Sequence, residues 1–216
     1  MLKLYDYYRS SASFRVRIAL NIKNLNYDKI PIHLLNNGGE QFSPEYQKIN
    51  PQSLVPTLLD DDKIITQSLA IIEYLNEKYP DPPLFPNDMT LKAHIRSFAF
   101  AIAADIHPLN NRRILNYLTD NLKLSEEQKN KWYQHWIQLG LSALEKILQK
   151  NNSHSHYCFG ESPTLADICL IPQIYNAHRF NCDVSDFPTL MRIYDHCQQQ
   201  SVFIDAWPRE EVNLAK

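Results

Sequence analysis

Tyr8-Arg9-Ser10-Ser11-Ala12-Ser13-Phe14-Arg15-Val16-Arg17-Ile18-Ala19-Leu20 follows directly on a strand-like run, Leu2 to Tyr7. Hydroxyl side chains therefore stand where a strand ends and a helix begins. A helix start carries N–H groups without intrahelical acceptors and a partial positive charge. It stabilises an anion placed there, whether phosphate or thiolate. As a plain N-cap, Ser10 or Ser11 contributes about 1 kcal/mol and no chemistry. Taken alone, the stretch favours that simpler role. Its neighbours in the chain change the balance.

Working outward, residues 1–80 alternate strand and helix patterns. Leu2 to Tyr7 predicts a strand, and Ser11 to Lys23 a helix with Phe14, Ile18 and Ile22 on one face. Tyr27 to Leu34 predicts a second strand, and Asn36-Asn37-Gly38-Gly39 a turn. Thr57-Leu58-Leu59 and Lys63-Ile64-Ile65-Thr66 flank Asp60-Asp61-Asp62, which predicts a hairpin whose acidic triplet is a solvated turn. Ser68 is expected to cap a helix over Leu69 to Tyr79. The order βαβ, a short irregular piece, ββ, then α matches the thioredoxin-like layout.

Proline stiffens and interrupts Pro80-Asp81-Pro82-Pro83-Leu84-Phe85-Pro86, so a linker is placed at 81–88. Strand signals nearly vanish beyond it, and residues 89–216 are assigned to an all-helical domain. The fold class is α/β plus all-α: an N-terminal thioredoxin-like domain followed by a C-terminal helical bundle. Met89 to Leu118 predicts one long helix bent at His107-Pro108. Ser125-Glu126-Glu127-Gln128 has capping-box form and opens a second, with Trp132, Trp136, Leu139, Ala143 and Ile147 as its core stripe. Thr164-Leu165-Ala166-Asp167 is another capping box, which makes Asp167 structural. Pro188 to Gln199 predicts a last helix, and Val202 to Pro208 an apolar tail that packs.

With 216 residues, 44% hydrophobic and 21% charged, the chain has ordinary globular composition. A net charge of -2 gives no strong pull towards nucleic acid or an acidic membrane. No apolar run reaches the roughly 18–20 residues that span a bilayer, and the start lacks the pattern of a secretory signal. Neither nucleic acid nor membrane is expected as a partner. The four cysteines form no C-x-x-C pair and read as small buried side chains in a reduced, cytoplasmic setting. His154-Ser155-His156 has the only metal-like histidine spacing, and two histidines in a polar loop are expected to be solvated, so no metal is assigned.

Leu54-Val55-Pro56-Thr57-Leu58 and Thr66-Gln67-Ser68-Leu69-Ala70-Ile71 decide the reading. A Val-Pro entering the third strand of a thioredoxin-like domain usually carries a cis bond. The Val55 backbone can then pair with an extended peptide like a sheet edge. Gln67-Ser68 stands at a second helix start, able to hold a carboxylate. A short peptide would lie along its backbone with its carboxylate at the second helix and its thiol near Ser10. Glutathione has this shape and these groups.

Here the chain resembles the cytosolic glutathione transferases, the zeta class in particular, over essentially its full length. The segments are R-S-S-A-S-F-R-V-R-I-A-L at 9–20, Q-F-S-P-E-Y-Q-K-I-N-P at 41–51, L-V-P-T-L at 54–58 and Q-S-L-A-I-I-E-Y-L at 67–75. I-H-P-L-N-N at 106–111, L-A-D-I-C-L-I-P-Q at 165–173 and N-A-H-R-F at 176–180 complete them. The resemblance implies glutathione as cofactor, a homodimer, and catalytic roles for Ser10 and Ser11, Ser10 donating to the thiolate. It implies glutathione contacts for Ser11, Ala12, Ser13, Phe14 and Arg15 at the first helix start, and for Gln41, backbone Val55, Gln67 and Ser68. His107, Asn111, Arg112 and Arg113 match second-domain residues near the ligand. Arg179, with Arg15, is expected to meet an acidic substrate, and Arg17 is not. Ala12 stands where the family often has cysteine, and residues 1–79 contain no cysteine. That argues against a mixed-disulfide reductase, which needs a protein thiol at the helix start.

The implied activity is cis–trans isomerisation of maleylacetoacetate to fumarylacetoacetate in tyrosine and phenylalanine catabolism, by reversible thiolate addition. Two alternatives stay open at this point: a general glutathione transferase acting on small α-halo acids, and a non-catalytic transferase-like interaction module. A free thiol titrates near 8.5, and each unit of lowering takes about 1.4 kcal/mol. A helix N-terminus contributes roughly 0.3–1 kcal/mol and a charge-assisted hydrogen bond about 1.5–3, enough for one to two units.

Overall fold

Leu2 and Leu4 alternate inward along β1 (Leu2–Asp6) and start the sheet. In the computed structural model, which describes residues 1–150 and 155–209, β1 pairs in parallel with β2 (Asp28–Pro31) and antiparallel with β3 (Thr57–Asp60), and β3 with β4 (Lys63–Thr66). The strand order is β2-β1-β3-β4. Helices α1 (Ser11–Ile22), α2 (Pro44–Ile49) and α3 (Ser68–Lys78) complete the expected βαβ–ββα pattern. The Val55–Pro56 and Asp81–Pro82 peptide bonds are cis.

The chain divides into two compact units, one of Met1–Pro83 with the chain from Ser201 on, the other of Leu84–Gln200. The described tail thus groups with the first unit, where the sequence placed it in an 89–216 helical domain. The cause is specific bonding to α1. Asn21 Nδ2 donates to the Val202 carbonyl at 3.0 Å, Arg17 Nε to the Ala206 carbonyl at 3.0 Å, and Trp207 packs edge-on against Phe14 at 5.5 Å. Helix α1 is therefore buried nearly all round, and not on one face as its periodicity suggests.

In the acidic triplet Asp61 and Asp62 form the expected exposed turn, and Asp60 departs from it. Asp60 is buried and accepts hydrogen bonds from Lys78 Nζ and, at 2.5 Å, from the Tyr74 hydroxyl. The Lys78 ammonium, then the Tyr74 hydroxyl, hold its carboxyl below the usual range. A carboxyl depressed on folding stabilises above its unfolded pKa of about 3.9, and that contribution fades as pH falls through the folded value. Wild type should exceed Asp60→Asn in urea midpoint at pH 7, with the gap closing towards pH 3. A gap independent of pH would show that the carboxylate contributes nothing as a charge.

The second unit is helical. Helix α4 (Met89–Phe100) runs into a π-helical turn over Ala101–Ile106 and a 3-10 turn over Pro108–Asn110. The chain then breaks at Asn111 before α5 (Arg112–Asn116), so the single bent helix of the sequence reading is several pieces. Helix α6 (Glu126–Lys150) starts at the expected box, Ser125 and Gln128 each bonding the other's backbone N–H. Its buried stripe is Tyr133, Ile137, Leu141, Leu144 and Leu148, one step round from the expected one. Leu139 and Ile147 are exposed and the two tryptophans half-buried.

Helix α7 (Leu165–Arg179) is nearly wholly buried, and its capping box is present. Asp167 accepts from Thr164 N at 2.8 Å and Cys158 N at 2.7 Å, which makes it structural as the sequence indicates. Helix α8 (Pro188–Cys197) follows in this unit, and α9 (Ser201–Ile204) belongs to the first. No helix among the described residues is long and apolar enough to cross a membrane.

Candidate functional site

In the first unit, β1 delivers the chain to Ser10, which is the N-cap of α1. Its Oγ accepts from Ser13 N at 3.2 Å. A hydroxyl that accepts from its own helix still has its proton to donate. Ser10 and Ala12 are partly exposed, whereas Ser11 is buried. Ser13, Phe14 and Arg15 do not line the helix start as an open surface. They are 0%, 1% and 2% exposed, with α3 and the tail packed against α1. Arg15 Nη1 lies 3.4 Å from Ser68 Oγ, so its charge sits inside the unit behind the start of α3, and it is not a cation open to substrate.

That second helix start also differs from expectation. Gln67, not Ser68, is the N-cap of α3, at φ 69° and without a side-chain cap. The first turn of α3 therefore keeps its N–H groups for another acceptor. A buried guanidinium behind them adds to the positive end of the helix dipole. Gln67 Nε2 donates to Gln52 Oε1 at 2.8 Å.

Val55 ends a loop clamped from two sides. The Tyr46 hydroxyl and Asn50 Nδ2 both donate to the Leu54 carbonyl, at 2.6 and 2.8 Å, and both reach Thr57 Oγ1. Burial raises the Tyr46 pKa, so it remains a donor. Sequence reasoning missed Tyr46, Asn50 and Gln52. The Asn50-Pro51 pair, a turn signal, could have pointed to the clamp. Gln41 is 6% exposed and its Oε1 has no partner among the described residues. Gly39, at φ 110°, makes room for it, since a Cβ there would lie 2.6 Å from the Gln41 amide.

In the second unit, His107 closes the π-helical turn, and Asn111 caps α5 by accepting Arg113 N at 3.1 Å. Arg112, Arg113 and Arg179 are exposed. Arg179 ends α7 with its guanidinium 5.3 Å over the Phe180 ring. All four cysteines are buried and free. Burial raises the thiols of Cys158, Cys182 and Cys197, Cys182 to about 11, which makes them poor nucleophiles. His154 lies outside the described residues, and His156 Nδ1 meets Glu161 Oε2 at 2.6 Å.

The family model of the glutathione S-transferase N-terminal domain matches residues 4–83, and that of the C-terminal domain residues 111–207. The chain is 47% identical to a probable maleylacetoacetate isomerase of Vibrio cholerae, over 97% of each chain. It is similar to a holo structure of maleylpyruvate isomerase described as a zeta-class bacterial glutathione S-transferase, with TM-score 0.93 and 39% identity over 98% of this chain and 99% of that one. A maleylacetoacetate isomerase of Methylobacterium extorquens, solved with bound malonate and glutathione, gives TM-score 0.91 and 36% identity over 95% and 96%. On its sequence, its sheet and the agreement of both units with these relatives, the chain belongs to the glutathione S-transferase family, in its zeta class.

Proposed function

We propose that this chain is a glutathione-dependent cis–trans isomerase that converts maleylacetoacetate to fumarylacetoacetate in tyrosine and phenylalanine catabolism. The observation that carries the reading is the cap at Ser10: a hydroxyl at the start of α1, engaged as acceptor by Ser13 N, with its proton left for a sulfur.

The first unit fits glutathione. Gln41 Oε1 is a buried acceptor without a donor among the described residues, and the α3 start has no side-chain cap among them. Gln41 and the Val55 backbone would hold the tripeptide backbone, and Gln67 and Ser68 its γ-glutamyl carboxylate. Arg15 supports that carboxylate from inside through Ser68. Glutathione held there would supply the thiolate for reversible addition to the conjugated double bond, about which the adduct can rotate. Ser10 would stabilise the anion by donating a hydrogen bond from its hydroxyl, with Ser11 and Ala12 forming the same helix start. In the second unit Arg179, with Asn111, Arg112 and Arg113 at the start of α5, would receive the carboxylates of the diacid, and His107 stands beside that turn.

The two-unit division supports a glutathione-binding domain at residues 1–80 and a substrate domain in the helical part. Buried, reduced cysteines support a cytoplasmic location, and family membership supports a homodimer.

Gln67→Ala should weaken glutathione by about 1.5–3 kcal/mol in calorimetric titration, the cost of one bond to a charged group. Unchanged affinity would place the carboxylate elsewhere. The proposal itself is tested by assaying wild type with maleylacetoacetate and, separately, with a small α-halo acid. Isomerisation without glutathione consumption is expected, and Arg179→Ala should raise KM for the diacid roughly tenfold. Consumption of glutathione with the halo acid, and no isomerisation, would make the chain a general transferase.

A further inference from the structure

Three successive residues of α6 tie down two segments that are distant in sequence and carry Arg112, Arg113 and Arg179. On one side, Trp132 Nε1 donates to the Leu109 carbonyl at 2.9 Å, and Asn110 Nδ2 donates to the Tyr133 carbonyl at 3.3 Å. These bonds fix the turn from which α5 starts. On the other side, the Tyr133 ring lies face to face on Phe180, with centroids 3.7 Å apart and planes 16° apart. Gln134 Nε2 reaches the Phe180 and Asn181 carbonyls at 3.4 and 3.5 Å. Phe180 in turn supports the Arg179 guanidinium. Tyr133 is 2% exposed, so the stack is part of the packed interior.

The three residues lie within a single helical turn, so the spacing between what they hold is set by rigid backbone. None of the three arginines pairs with a carboxylate among the described residues. Each keeps its planar fork for a ligand. A diacid that engages both segments is bound well only when its carboxylates match their separation.

We propose that Trp132-Tyr133-Gln134 acts as a ruler that fixes the separation of the Arg112–Arg113 turn from Arg179, and so selects dicarboxylates by length. The inference rests on the isomerase reading above. The three are positioning residues that set where the arginines stand. Loss of the ring stack frees Phe180, and with it Arg179, while the α5 turn keeps its own ties.

The test is competitive inhibition by saturated α,ω-dicarboxylates from malonate to adipate, with steady-state kinetics on the diacid. Wild type should show a minimum Ki at one chain length. Tyr133→Leu should flatten that minimum and raise KM about tenfold, with kcat within about threefold and glutathione affinity within about twofold. Tyr133→Phe, which keeps the stack, should restore the wild-type length profile. Gln134→Ala should flatten the profile in the same direction, and it decides the matter if Tyr133→Leu fails to fold. Folded variants that retain the wild-type profile would overturn the ruler alone. A wild type that neither turns over the diacid nor is inhibited by any dicarboxylate would overturn the isomerase reading, and the ruler with it.

Discussion

Arg17→Ala should cost about 3–5 kcal/mol, a large share of the 5–15 kcal/mol that typically separates folded from unfolded domains. Arg17 is 3% exposed, and its Nη1 meets both Asp6 carboxylate oxygens, at 2.7 and 2.9 Å. Nη2 donates to the Tyr8 carbonyl and Nε to the Ala206 carbonyl, each at 3.0 Å. One guanidinium thus joins β1, the turn before Ser10, α1 and the tail. Its removal leaves the Asp6 carboxylate buried without its countercharge, and that penalty dominates the loss. Urea denaturation at pH 7 measures it. Arg17→Lys should recover only part, because one ammonium cannot fill the planar fork. A loss under about 1 kcal/mol for Arg17→Ala would show that water or a relaxed Asp6 replaces the pair.

Ser10→Ala should slow isomerisation about 10- to 100-fold near pH 7, the equivalent of losing a hydrogen bond of about 1.5–3 kcal/mol to an anion. The same change removes the α1 cap, for about 1 kcal/mol of stability. pH separates the two effects. An unassisted thiol ionises near 8.5, so the rate deficit should shrink as pH rises past that value, whereas a lost cap lowers stability at every pH. A rate profile parallel to wild type would deny Ser10 the donor role. A deficit produced by Ser11→Ala instead would transfer that role to its neighbour.

Much of this was legible in the sequence because it depends on local chemistry. The capping boxes at Ser125 and Thr164, the hairpin and the position of Ser10 follow from residues a few places apart. The stripe on α6 could not be chosen that way, since Trp132, Trp136, Leu139 and Ala143 repeat as regularly as Tyr133, Ile137, Leu141 and Leu144. The buried stripe also contains Glu145, which reads as a solvent residue. Its carboxylate accepts Thr189 N at 3.0 Å and Leu190 N at 2.9 Å, at the start of a helix with no side-chain cap of its own. Nothing near Glu145 in sequence announces a partner that far downstream. Arg15 and Arg17 escaped for a similar reason: two arginines on a short helix look exposed until the start of α3 meets the first and the tail meets the second.

The tail's bonding to α1 also has a consequence for how the protein is made. The Ala206 carbonyl that Arg17 uses and the ring that covers Phe14 are translated only after the whole of Leu84–Gln200. The sheet unit, although first to leave the ribosome, can only wait half-finished while the helical unit emerges and folds. A nascent chain halted just past Pro83 should therefore expose the outer side of α1 to chaperones. A fusion or truncation that disturbs residues 201–207 should harm the N-terminal half more than the helices beside it in sequence.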